Sequence, residues 1–525
     1  MWLDELRFGG CHGTGDPFLA SSWLLLICHS RAHLKPHKIS ELRTAYGRFP
    51  GVEPVDGAAD RSAATWGEET IVAVSTATGP GAIGIVRLSG PDAVAIAQSA
   101  FVPARGVGPR PEETYSMLYG HVVDPYTGES IDEALLALMR APRSYTREDI
   151  VELHCHGGLA AQRAVLRLMI RLGARLAEPG EFTRRAFLNG RIDLAQAESV
   201  AAIVSARSSG ALRASVRQLE GGLSERLRSL RKVLVGILAQ AEVTVDFSDE
   251  DVDPLDWGAL VEGLGSVEED LARLHRTAFL GRALEHGVRT AIVGKPNVGK
   301  SSLLNALLMR ERAIVSDVPG TTRDTVEDFI EIGGIPIQLV DTAGMRSGGD
   351  HVERLGVERS LRAMEQADLV LAVFDLSVAW DDTDQQLVDR LDPERSIIVG
   401  NKSDLVPWTR SREMTGIGHG HKQCVVSALT GEGIDDVRGL IQEIITGGEG
   451  LAVEEPVLAT ERHRNLVGKA VASTRAARAC ASLGRDEELV CEDIREAVHA
   501  LGRITGEDLT PDLLDEIFSK FCLGK

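Results

Sequence analysis

The chain has 525 residues, 43% hydrophobic and 26% charged, with a formal net charge of −20. At roughly 150 residues per domain this length suggests three or so domains, and no apolar run reaches the about 18 residues that crossing a bilayer requires, so no membrane association is expected. The acidic balance argues against a broad nucleic-acid-binding surface, because phosphate neutralisation needs clustered Lys and Arg; any RNA contact is local or shared with a partner.

Residues 1–67 read as an extension, disordered or a mis-assigned start: Phe18 to Cys28 is apolar, but Asp4, Glu5 and Asp16 precede it, unlike a signal peptide. The seven cysteines, at 11, 28, 155, 424, 480, 491 and 522, include no CxxC pair. Neither a zinc site nor a disulfide framework is signalled. A reducing, cytoplasmic setting is expected, with the mitochondrial matrix as the alternative.

From Glu69 the pattern predicts strands over Ile71 to Val74 and Ile83 to Leu88 around a Gly-rich turn, then Ala134 to Arg140 and Ile150 to His154, and a helix with Leu159, Val165, Leu166 and Met169. These define an α+β domain over 69–186. Alternation along its last strand turns Cys155 away from His154 and His156, which argues against a metal there.

Beyond it the chain turns helical over 187–283. Leu212, Val216, Leu219, Leu223, Leu227, Leu230, Leu234 and Ile237 recur at three- and four-residue steps and predict one long bundle helix. The acidic stretch Asp246 to Asp256, containing Pro254, ends it, and a further helix is expected over Leu260 to Leu284. After 449 helices return, over Arg462 to Ala481, Leu489 to Leu501 and Leu513 to Phe521, with Thr510 and Pro511 as a start signal. The expected fold class is therefore multidomain, α/β and α: an α+β amino-terminal domain, then a helical domain (187–283 and 450–525) interrupted by an inserted domain over 284–449.

That insertion carries the chemistry. Arg289 to Val293 reads as a buried strand, and Gly294-Lys295-Pro296-Asn297-Val298-Gly299-Lys300-Ser301 fits G-x-x-x-x-G-K-[ST] directly before a helix containing Ser302. The glycines let the loop wrap phosphates, backbone amides donate to them, Lys300 reaches the outer phosphates and Ser301 holds Mg²⁺. Asp341-Thr342-Ala343-Gly344 follows the apolar run Ile335 to Val340, placing Asp341 for water-mediated magnesium binding and the Gly344 amide for the γ-phosphate. Asn401-Lys402-Ser403-Asp404 follows a strand over Ser396 to Gly400; the Asp404 carboxylate can accept from both guanine N1 and N2, a donor pair that adenine lacks. Ser427-Ala428-Leu429, after a strand over Gln423 to Val426, completes the base contact. Four elements in this order indicate a P-loop GTPase domain, α/β with a mostly parallel sheet.

Ser316-Asp317-Val318-Pro319-Gly320-Thr321-Thr322 lies where a switch loop supplies a threonine to magnesium, and Thr322 is the candidate. After DTAG, where many small GTPases place a water-orienting glutamine, this chain has Met345.

Asn297 with the Gly320-Thr321-Thr322-Arg323-Asp324 loop resembles the potassium-dependent GTPases. Tyr145 to Gly158 (YTREDIVELHCHGG), Pro179 to Glu198 (PGEFTRRAFLNGRIDLAQAE) and the terminal Phe521-Cys522-Leu523-Gly524-Lys525 resemble the tRNA-modification GTPases of the MnmE/TrmE family, over nearly all of 69–525. The resemblance implies that Asn297, Ser316, Val318 and Thr321 hold a K⁺ ion against the phosphates and that Glu353 orients the attacking water. It implies homodimerisation, with dimerising GTPase domains closing the loop. It implies that 69–186 binds 5-formyltetrahydrofolate or a related one-carbon folate through Arg87, Glu152, Arg191 and Lys525. And it implies an FAD-dependent partner of the MnmG/GidA type, in a heterotetramer or larger complex, with which an aminomethyl-type group, carboxymethylaminomethyl, is placed at C5 of wobble uridine 34 of certain tRNAs. Cys522 is either a reactive thiol or a partly buried apolar contact. The alternative function is a regulatory GTPase binding ribosomes or assembly intermediates, although no KH-type GXXG loop in basic surroundings is evident.

Overall fold

Alternating apolar residues in Ile83–Ser89 and Ile150–His156 give each strand one buried face, and the two pair antiparallel with Arg87 opposite Glu152. The computed structural model describes residues 69–77, 79–105, 114–246, 256–309, 329–341, 362–407, 420–448, 456–484, 487–507, 510–522 and 524. In chain order the amino-terminal part comprises β1 (Ile71–Val74), β2 (Ile83–Ser89), α1 (Ala93–Ala100), β3 (Phe101–Pro103), β4 (Ser116–Val123), β5 (Ser130–Met139), β6 (Ile150–His156), α2 (Leu159–Arg171), β7 (Arg175–Leu176) and α3 (Glu181–Leu188). Its strands form one sheet in the order β3-β4-β5-β6-β2-β1-β7, with α1 and α2 covering one face. Strands β3, β4 and β7 carry no signal that the sequence reading used.

The helices that follow are α4 (Leu194–Ser205), α5 (Ser209–Leu219), α6 (Gly222–Asp246), α7 (Trp257–Arg276) and α8 (Ala278–His286). Here the sequence expectation needs two corrections. The single long helix is two, broken at Gly221, whose φ of 97° is left-handed. The three- and four-residue steps run on across the break, but Leu212 and Val216 of α5 are exposed, and that helix buries Gly210, Ala211, Ser215 and Gln218 instead. The helix expected over Leu260 to Leu284 also divides, at Thr277, whose hydroxyl donates to Leu274 O and accepts from Leu458 N at 3.2 Å.

The inserted part contains β8 (Val288–Val293), α9 (Lys300–Met309), β9 (Phe329–Ile332), β10 (Ile335–Asp341), β11 (Leu369–Asp375), α10 (Asp382–Val388), β12 (Ser396–Asn401), β13 (Lys422–Val425) and α11 (Ile434–Thr446). The sheet order is β13-β12-β11-β8-β10-β9, parallel except for β9 against β10. The chain winds to one side of β8 and then to the other, so the crevice beyond the carboxyl end of β8 is a topological switch point, where α/β sheets bind ligands.

Helices α12 (Glu461–Ser482), α13 (Glu487–Thr505) and α14 (Pro511–Ser519) close the chain. Thr510 precedes Pro511 at the start of α14 as expected, but its hydroxyl makes no capping hydrogen bond. Helices α6 and α7, before the insertion, pack with α12 and α13, after it, around one core that includes Leu227, Leu234, Leu264, Val467, Ile494 and Leu501. Each such side chain contributes about 1.5–3 kcal/mol when fully buried. No helix among the described residues is long and apolar enough to cross a membrane.

The two halves are also joined by charge. Glu198 of α4 accepts from Arg462 Nε and Nη2, both at 2.8 Å, and lies 2.6 Å from His463 Nε2; Arg462 goes on to donate to Arg503 O at 2.7 Å. Burial pushes the Glu198 carboxyl up, but His463 and Arg462 more than offset it and its pKa falls to about 2. Replacing Glu198 with Ala strands buried cationic donors, so the helical-domain unfolding transition in urea should lose about 3–5 kcal/mol. Because the folded pKa lies below the ordinary 4.5, the parent's stabilisation is full above that value and lost as pH falls toward about 2. A Glu198→Gln variant should lose less across that window, and parallel pH profiles would refute the assignment.

Candidate functional site

The strand β8 ends at Val293 and the chain turns at Gly294, whose φ is 146°. A Cβ there would meet Val373 O at 2.3 Å, so only glycine lets the loop leave the sheet beside β11. Asn297 is also left-handed, at φ 64°, and exposed on the outer rim of the loop; Val298 is buried beneath it. Lys300 Nζ donates to Gly294 O at 2.9 Å and Lys295 O at 2.7 Å, closing the loop on itself. Ser301 and Ser302 stand exposed in the first turn of α9. These residues therefore form a concave backbone cradle at a helix amino terminus, the geometry that receives phosphates.

The base-selecting elements converge on the same loop. The buried Asn401 donates through Nδ2 to Val298 O at 2.8 Å and accepts at Oδ1 from Ala428 N at 3.0 Å, so one side-chain amide spans three loops. Asp404 Oδ1 accepts from Ser427 Oγ at 2.6 Å, which leaves lone pairs of the exposed carboxylate for a base. Lys402, left-handed at φ 66°, reaches Asp375 Oδ2 at 2.6 Å. Partial burial raises the Asp375 carboxyl, yet Lys402 and Ser377 outweigh it and hold it below its ordinary value. Leu429 is 85% exposed at the rim.

Strand β10 brings the backbone of Asp341 opposite Ile292, beside the cradle. Ser316, Asp317, Val318, Pro319, Gly320, Thr321, Thr322, Thr342, Ala343, Gly344 and Glu353 lie outside the described residues, as does Lys525.

In the amino-terminal sheet, Arg87 and Glu152 pair across β2 and β6, with Arg87 Nη2 2.7 Å from Glu152 Oε1. Glu152 Oε2 is also 3.1 Å from His154 Nε2. The Tyr145 ring has the Arg191 guanidinium 4.8 Å from its centroid and that of Arg87 at 6.0 Å, so both arginines gather around one aromatic face. The chain terminus comes to the same sheet. Ser75 Oγ donates to Gly524 O at 3.1 Å, and a Cβ on Gly524 would meet Val74 O at 2.2 Å. Gly180 N donates to Cys522 O at 3.4 Å, tying the terminal FCLGK stretch to the PGEF turn. Cys522 itself is exposed, which removes its reading as a buried apolar contact.

Cys155 faces the opposite way from its neighbours: its thiol donates to Gly84 O and burial raises its pKa to about 11, while His156 pairs with Asp132 at 2.7 Å.

Sequence reasoning missed several supports. Lys295 Nζ bonds Asp381 at 2.6 Å and lies 2.7 Å from Asp384, tethering the cradle to the start of α10 and holding Asp381 down to about 2. Arg185 joins Glu148 and Glu181, each at 3.0 Å, in a buried network to which Ser89 of β2 also donates. Only the acidic residues around the start of α10 hinted at the first; nothing local marks the second.

A methyl group at residue 299 would sit 2.2 Å from Asn401 Nδ2 on a backbone with φ 99°. Gly299→Ala should therefore abolish titratable binding of a fluorescent guanine nucleotide while the helical-domain transition stays in place. Retained affinity would show that Asn401 does not hold the cradle.

Two family profiles match the chain: the TrmE amino-terminal domain of GTP-binding proteins over residues 70–191 and the MnmE helical domain over 194–522. The tRNA modification GTPase MnmE of Moorella thermoacetica is 46% identical over 464 residues, covering 87% of this chain and 100% of its own length. Its counterpart from Carboxydothermus hydrogenoformans is 42% identical over 459 residues, with 87% and 100% covered. That from Streptococcus pyogenes serotype M5 is 43% identical over 459 residues, with 87% and 98% covered. With these relatives matched over nearly their whole length, and the cradle and the Asn401 to Asp404 loop inside the 194–522 match, the chain belongs to the MnmE family of tRNA modification GTPases.

Proposed function

We propose that GTP hydrolysis by this chain drives, together with an FAD-dependent partner of the MnmG/GidA type, placement of a carboxymethylaminomethyl group at C5 of wobble uridine 34 of certain tRNAs. The observation that carries this reading is the return of the terminal residues to the amino-terminal sheet. Gly524 lies against Val74 and Ser75, next to the Ala73–Arg87 pair of β1 and β2, and Lys525 is one peptide bond further on. Arg87, Arg191 and Lys525 supply cations suited to a glutamate-tailed ligand, Glu152 an acceptor for amino groups, and Tyr145 a flat face. That donor set fits 5-formyltetrahydrofolate or a related folate, which supplies a one-carbon unit when bound. The reading includes a homodimer and a cytoplasmic location.

At the nucleotide, Lys300 and the cradle amides bind the phosphates, and Ser301 and Thr322 hold Mg²⁺ with Asp341 behind a water. Asn297, with Ser316, Val318 and Thr321, fits a K⁺ site: its amide stands exposed at the rim, held there by a left-handed backbone. A cation fixed at that point stabilises charge developing on the phosphates. Because Met345 stands where other GTPases have glutamine, Glu353 is assigned the orientation of water.

GTP turnover should be at least about tenfold faster in K⁺ than in Na⁺ at equal ionic strength, since a fixed cation worth about 1.4 kcal/mol changes the rate tenfold. Equal rates would count heavily against the cation site. Nucleoside mass spectrometry of tRNA from cells lacking the gene should show loss of the modified wobble uridine, regained on restoring it. Unchanged nucleosides would sink the modification reading and favour a regulatory GTPase.

A further inference from the structure

The hairpin of β9 and β10 joins the two stretches expected to sense the γ-phosphate: β9 begins just after the switch loop, and β10 ends at Asp341. Its far end is a two-residue turn, Gly333-Gly334, with both φ values positive, at 59° and 87°. Ile335 to Asp341 spans roughly 20 Å at the usual strand rise, so this turn is remote from the nucleotide.

The turn is nonetheless held. Ser208, the N-cap of α5, donates its hydroxyl to Gly334 O at 2.7 Å, and Gly210 N donates to the same oxygen at 3.1 Å. Ser209 grips Glu331 of β9 through both its backbone N–H at 2.9 Å and its hydroxyl at 2.6 Å. Arg207 lies over the ring of Phe329, 4.4 Å from its centroid. The approach is close enough that a Cβ on Gly210 would meet Gly334 O at 2.3 Å. On the other side Arg438 of α11 donates to Glu331 O at 3.0 Å.

We propose that Ser208, Ser209 and Gly210 are positioning residues for GTP hydrolysis: by clamping the turn they fix the hairpin as a lever between α5 and the phosphate-sensing loops. None of them touches nucleotide. With the turn clamped, strand β10 delivers the backbone of Asp341 to one place relative to the cradle, opposite Ile292, and release of the clamp lets that end wander by the small distances that hydrolysis does not tolerate. Binding depends on Gly299, Lys300 and Asn401 instead and does not need the lever.

The test uses the full-length chain in a buffer containing both K⁺ and Na⁺, so that it stands whatever the fate of the cation site, and it requires only GTP hydrolysis by the parent chain, independent of the wobble-uridine result. Ser209→Ala and Glu331→Ala should each lower kcat for GTP about fivefold and leave KM within about twofold. The double variant should be no slower than Glu331→Ala alone, because the hydroxyl bond that Ser209→Ala removes ends on the carboxylate that Glu331→Ala has already removed. Ser209→Thr, which keeps the hydroxyl, should restore turnover. Gly210→Ala should be slower still, and if it does not fold, the exposed Ser209 decides the matter. Unchanged or raised kcat in the single variants, additive losses in the double, or a matching rise in KM would overturn the assignment.

Discussion

The helical bundle can close only if stretches of chain on either side of the nucleotide-binding sheet meet, and the rest of the molecule depends on that constraint. Helices α6 and α7 touch each other, but each packs most extensively against a helix that arrives more than a domain later in sequence, α6 against α13 and α7 against α12. Closing so long a loop costs conformational entropy, offset by apolar burial and by the bidentate grip of Arg462 on Glu198. A geometric consequence follows at the point of insertion. The chain segments that enter and leave the nucleotide domain touch, with Gly281 of α8 so near Leu458 that a Cβ would lie 2.0 Å from its carbonyl oxygen. A domain held at these two adjacent segments, and again where α5 grips the β9–β10 hairpin, cannot move without loading α8, the approach to α12 and α5.

Inside the nucleotide domain the corresponding constraint is the amide of Asn401. It holds the phosphate cradle and the Ala428 loop at once, and it is buried, so neither bond has water as a ready substitute. The loops proposed to read base and phosphate are therefore tied into one unit. Asp404, fixed by Ser427, and Lys402, fixed by Asp375, extend that unit outward. The pairing explains why the two short motifs occur with their strands: a strand end is the one place where the backbone is stiff enough to aim them.

Much of this was legible in the sequence where function demands a local spacing. The strand before the cradle, the cradle and Asn401 to Asp404 are each written in a few consecutive residues. The interrupted bundle was legible too, because helical periodicity resumes after the insertion. What escaped was set by contacts distant in sequence. The breaks at Gly221 and Thr277 leave the apolar rhythm intact, so periodicity joined helices that tertiary packing separates. Arg185 and Glu181 sit in a motif that marks the family, yet their work is to neutralise each other and Glu148 in a buried network, a role that pairing alone reveals. Arg191, from the same motif, stays exposed, with its guanidinium 4.8 Å from the Tyr145 ring centroid.

The acidic composition bears on how such a molecule handles a polyanion. With 77 acidic against 57 basic residues, tRNA gains little from the chain's overall field. Basic residues of the helices are largely committed: Arg226, Arg228 and Arg231 pair with Asp270, Asp193 and Glu507, and Arg475 and Arg478 share Glu268. An RNA-binding surface here would have to break these pairs or be completed by another protein, and exposed pairs of this kind cost only about 0–1 kcal/mol each to break. Linkage then gives the energy source its purpose. If nucleotide state alters the helical domain through α5 and α8, whatever docks on that domain must alter nucleotide affinity by the same factor. A ligand of the helical domain and the nucleotide would then each shift the other's binding by the same free energy, although α5 meets the nucleotide-binding sheet at the Gly333-Gly334 turn, the end remote from the cradle.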